Sequence, residues 1–101
     1  MALTESTEYD KIEIVGKYKI VQVRKANVIR RDGEEITRSF KRFSLDPGTL
    51  NESDNLVDNP LDKEPDGVTT ITDEIKAICN IVWTTSVKNA WKSKLIADKS
   101  S

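Results

Sequence analysis

The chain contains no histidine and a single cysteine, Cys79. Without an imidazole, a Ser-His-Asp triad, a Cys-His pair and a histidine-ligated metal are all excluded. One thiol cannot build a disulfide framework, nor a zinc site made mainly of thiolates. No apolar run approaches the roughly 18 residues that a membrane-spanning helix needs, so a membrane is not an expected partner. The stretch from Met1 to Asp10 is polar and acidic, unlike a secretory signal, which begins basic and continues apolar. No internal repeat or low-complexity tract appears. A length of 101 residues admits one domain, and a second with its own core does not fit.

Charge is what the chain has in quantity. Charged residues make up 33% of it, yet the formal net charge is only −1, because the two signs are laid down in blocks. Residues 1–10 carry three acids and no base, and residues 11–45 carry ten bases and four acids. Residues 46–74 then carry nine acids and one base, and the remainder five bases and one acid. Such stripes steer partners or pair subunits, or else they fold onto one another within a single chain.

Between Tyr9 and Leu45 apolar residues recur at spacing two: Ile12 and Ile14, Tyr18 and Ile20, Val21 and Val23, Phe43 and Leu45. β-branched and aromatic types dominate, which suits half-buried strands. Asp32-Gly33 favours the positive φ angles of a two-residue type I′ turn, so a β-hairpin is expected there. That turn sets Arg31 opposite Glu34 and Ile29 opposite Ile36. Strict alternation puts Phe40 and Phe43 on opposite faces, and a bulge near Lys41 would be one remedy. Residues 46–67 hold all 3 prolines and are acidic, with few large apolar side chains, and read as an extended surface loop.

Helical spacing begins after Thr72, a good N-cap, with Asp73 and Glu74 at the positive end of the helix dipole. Ile75, Ile78, Cys79 and Val82 form one stripe, and Thr84 can cap a second helix carrying Val87, Ala90, Trp91 and Leu95. The expected fold is therefore α+β. It has an antiparallel β-meander of three or four strands over about 9–45, the acidic loop 46–67 and a C-terminal helical pair over about 73–97. Residues 1–8 and 98–101 read as tails of this single domain, 1–101.

Five sets of residues bear on function. Asp62, Glu64, Asp66 and Asp73, with Gly67, fill oxygen-ligand slots of an EF-hand-type calcium loop. Pro65 in the fourth slot and the absence of an incoming helix speak against it, and an acidic turn before an N-cap gives the same letters. Arg30, Arg31, Arg38, Lys41 and Arg42, interleaved with aromatics in the basic hairpin 17–42, suit a phosphate backbone. The plainer reading is the wet face of a sheet, where such residues discourage aggregation. Phe40, Phe43, Trp83 and Trp91 are anchors, some for the core and some for an interface. Cys79, on an apolar stripe, reads as a buried structural thiol. Paired carboxylates for hydrolysis lie in a loop with no apolar pocket around them. The chain is thus expected to be no enzyme and to need no cofactor.

Three stretches carry a resemblance: Lys19-Ile20-Val21-Gln22-Val23-Arg24, then Glu35-Ile36-Thr37-Arg38-Ser39-Phe40-Lys41-Arg42, then Ala77-Ile78-Cys79-Asn80-Ile81-Val82-Trp83-Thr84 with Val87 and Ala90-Trp91. Over about residues 8–95 they resemble small proteins of tailed phages of marine bacteria, cyanophages among them. The chain departs from that pattern in the long acidic excursion at 46–67, where a short connection is expected. The resemblance implies a virion structural or assembly protein of capsid, neck or tail, assembled in the host cytoplasm. It implies contacts with other virion proteins and with copies of itself. The alternative is a small nucleic-acid-binding protein that uses the basic hairpin.

Overall fold

The computed structural model describes residues 2–99. Three long antiparallel strands come first: β1 (Leu3–Val15), β2 (Ile20–Arg31) and β3 (Glu34–Leu45). They form one sheet in the order β1-β2-β3, so β2 is paired on both sides while β1 and β3 are edges. At about 3.3 Å per residue each strand runs roughly 40 Å, and the molecule measures 58 × 25 × 22 Å. Asp32 and Gly33 both adopt positive φ, as the β2–β3 turn requires, and Arg31 stands opposite Glu34.

Two expectations about register change. Ile29 faces Thr37 rather than Ile36, because Ile36 is an extra residue bulged out of the ladder between Glu35 and Thr37. A second bulge falls at Asp10 in β1. No shift occurs at Lys41: Phe40 and Phe43 keep to opposite faces, and only Phe43 packs against the core. Residues 3–8 are not a tail. They pair with Arg31 back to Val28 and Ala26, and Ala2 exchanges hydrogen bonds with Asp32 at the turn. Nor is the acidic excursion wholly irregular. β4 (Gly48–Leu50) pairs with β5 (Leu56–Asp58), and Lys63 bridges to Thr70. Gly48 is required in β4, since a Cβ there would lie 2.3 Å from the Val57 carbonyl oxygen.

The helices follow the sequence pattern: α1 (Asp73–Val82) and α2 (Thr85–Lys99), the latter reaching past the expected boundary. The Thr72 hydroxyl accepts from the Ile75 amide, and Thr84 does the same for Val87. The stripe of α1 covers one end of the sheet. Val21, Val23 and Leu45 meet Ile75, Cys79 and Trp83 there, with Leu61 and Ile71 closing the sides. Trp83 is thereby a core residue rather than an interface anchor, and its indole N–H donates to the Lys19 carbonyl at 2.8 Å. α2 buries no residue fully. Trp91 ties it down by donating to the Gly48 carbonyl at 2.8 Å and meeting Tyr18 edge to face.

Replacing Ile75, fully buried at the centre of this cluster, by alanine should cost about 2–5 kcal/mol in a urea titration. Burial pushes the Cys79 thiol up to about 11. A thiol reagent at pH 8 should therefore leave the folded chain unlabelled and react at once in denaturant.

Candidate functional site

Beyond Lys25 the sheet leaves its cover behind and continues as a three-stranded arm. Residues opposite one another on neighbouring strands share a face, so the two faces can be read from the register. The inner face, continuous with the core, carries Lys25, Asn27, Ile29 and Arg31 of β2. The outer face carries Arg24, Ala26, Val28 and Arg30, with Phe40, Arg38 and Arg42 of β3 alongside.

On the outer face Ala26 and Val28 are fully buried, although neither belongs to the cluster beneath α1. Their cover is a lattice of long side chains. Arg38 of β3 reaches Glu8 of β1 at 3.1 Å, and that bridge must pass over β2 between them. Arg30 also reaches Glu8 at 3.1 Å, and Arg38 meets Glu35 at 2.8 Å. Arg24 grips both oxygens of Asp10, at 3.0 and 2.8 Å, and lies 4.4 Å above the Phe40 ring. Arginine stems thus do the work of an apolar layer while their heads stay wet. Hydrogen bonds from Arg30, Arg24 and Arg38 hold the Glu8, Asp10 and Glu35 carboxyls, respectively, below their ordinary values.

On the inner face the boundary of the core is marked by Glu64, only 4% exposed. Its carboxylate accepts from the Tyr9 hydroxyl at 2.6 Å and from Lys25 at 2.8 Å. Glu64 is delivered by a tight turn at Pro65-Asp66-Gly67. There Asp66 accepts from the Thr69 hydroxyl and from the amides of Val68 and Thr69, which draws its carboxyl down to about 2. Burial, then the bond to Glu64, pushes the Tyr9 phenol up to about 12.

The residues singled out from the sequence are therefore scattered. Glu64 and Asp66 are committed to separate hydrogen-bond sets, while Asp62 and Asp73 are exposed elsewhere. Among the described residues no group of three or more acids or cysteines is arranged to hold a metal. Of the five bases of the hairpin, Arg30 and Arg38 are engaged by carboxylates on the outer face with Arg42, whereas Arg31 and Lys41 belong to the inner face. Phe43 and Trp91 are half-buried and serve packing. Phe40, 44% exposed, is the one anchor that stays open. Ile36 at 50% and Leu3 at 60% join it along the arm. No pattern in the sequence marks Glu8, Asp10 and Glu35 as arginine partners, since the pairing depends on bulges that alternation does not reveal.

Phenylalanine at position 9 leaves the buried Glu64 carboxylate with Lys25 alone, and should cost about 1–3 kcal/mol in chemical denaturation. The alkaline limb gives a second check. The folded Tyr9 pKa lies above the usual value of 10.0, so its contribution is complete below pH 10 and is lost as pH rises toward about 12. A tyrosine absorbance titration should show a late step near 12 that Tyr9→Phe abolishes.

Set beside known proteins, the chain matches no family model, no curated protein and no solved structure.

Proposed function

We infer that the chain is a non-enzymatic structural or assembly protein of a tailed-phage particle, acting through protein–protein contacts made by its projecting arm. The observation that carries this reading is the arm itself. It is a three-stranded sheet whose β1 and β3 edges are both open and whose exposed apolar residues, Leu3, Ile36 and Phe40, are carried by those two edge strands. Open edges offer backbone N–H and C=O groups to a strand from another chain, and apolar side chains beside them add affinity. The resemblance of the three sequence stretches to phage proteins supplies the setting. The outer-face lattice supports the same reading, because arginines already neutralised by Glu8, Asp10 and Glu35 are poor phosphate ligands and good structural struts.

Purified particles of the encoding phage should contain the chain at constant copy number. Ile36→Asp, a change at an exposed position, should leave the melting temperature unchanged and deplete the chain from particles. Absence of the natural chain from particles overturns the proposal.

A further inference from the structure

β3 is self-complementary in a way that β1 is not. The segment from Glu34 to Arg42 begins with two acids and ends with two bases. An antiparallel strand pairing places the beginning of one copy against the end of the other, so the signs meet oppositely. β1 carries Glu5, Glu8, Asp10 and Glu13 with only Lys11, and pairing it with itself sets acid against acid.

We propose that two copies of this chain join through their β3 edges about a two-fold axis at Arg38, giving a continuous sheet in the order β1-β2-β3-β3-β2-β1. This rests on the reading of the arm as a docking element and names its partner. The register follows from matching faces. With Arg38 opposite its counterpart, Thr37 faces Ser39. The bulge makes Glu35 and Ile36 share one position of the ladder, and that position meets Phe40. Glu34 then faces Lys41 on the inner face, while Arg42 comes diagonally beside Glu35 on the outer one.

Two independent features fit this arrangement. Glu34, Lys41 and Arg42 are the charges of β3 that have no ion-pair partner among the described residues, and the two-fold supplies one for each. Ile36, the residue that β2 leaves unpaired, and Phe40 are 50% and 44% exposed, and they become mutual neighbours. The meeting of Arg38 with Arg38 carries little repulsion. Each guanidinium is already bound to Glu35 at 2.8 Å and Glu8 at 3.1 Å, so the axis is locally neutral.

Light scattering after size exclusion across a concentration series tests this on the full chain. The natural chain should be a dimer. Lys41→Glu and Glu34→Lys should each weaken it about tenfold, since two symmetric pairs turn repulsive in each variant. The combined swap Lys41→Glu/Glu34→Lys should restore dimerisation, which a mere loss of folding would not allow. A monomer at all concentrations overturns the two-fold, as do single variants that remain fully dimeric or a double variant that stays weak. Open-ended polymers overturn it too, and assign a head-to-tail pairing of acidic β1 with the basic end of β3. A monomer still present in particles removes the two-fold and keeps the docking arm. A dimer absent from particles keeps the two-fold and removes the virion reading.

Discussion

Glu64 and Lys25 meet 2.8 Å apart where the covered part of the sheet gives way to the bare arm, and the layout of the chain depends on satisfying that buried carboxylate. A charge taken out of water must be matched by a countercharge and hydrogen bonds. Lys25 supplies the first and Tyr9 completes the second, so three segments are drawn to one point: β1, β2 and the turn at 63–70. Once that turn is fixed, Ile71 enters the core and Thr72 stands where α1 must begin. The acidic excursion is thus a strap rather than a free loop.

The striped charges find much of their use inside the molecule. The acidic block reaches the basic sheet through Glu64, and it reaches the basic second helix through Asp58 to Lys88 and Asp54 to Lys99. The acidic N-terminal residues Glu8 and Asp10 meet the arginines of β2 and β3. Most of these contacts are exposed and individually weak. Their effect is to set which strand lies beside which, and on β3 they leave Glu34, Lys41 and Arg42 without an ion pair among the described residues.

Local chemistry made several elements legible from sequence. Asp32-Gly33 demands a particular turn, and Thr72 with the stripe from Ile75 to Val82 demands a helix. The start of β1 was not legible, since Leu3 to Glu8 shows no apolar alternation. It is a strand because β2 offers a ladder, and its side chains, Glu8 among them, meet arginines rather than an apolar core, so no apolar alternation is imposed there. The bulges at Asp10 and Ile36 were hidden for a related reason: no turn residue announces them. The Glu64 contacts were hidden by distance, because Tyr9 lies 55 residues away along the chain. Phe40 was legible as an anchor only in part, since the arginine above its ring is placed by the outer-face lattice.

The mode of attachment of α2 has a kinetic consequence. Its hold on the body includes the Trp91 indole bond to Gly48, one aromatic edge contact, half-buried Val87 against the core and surface ion pairs, with no fully buried side chain. Opening free energies within one protein scale with what each segment buries. The second helix, which buries no side chain fully, is therefore expected to open more readily than the β-sheet. Its amide protons should exchange with solvent sooner than those of β2, which is paired on both sides.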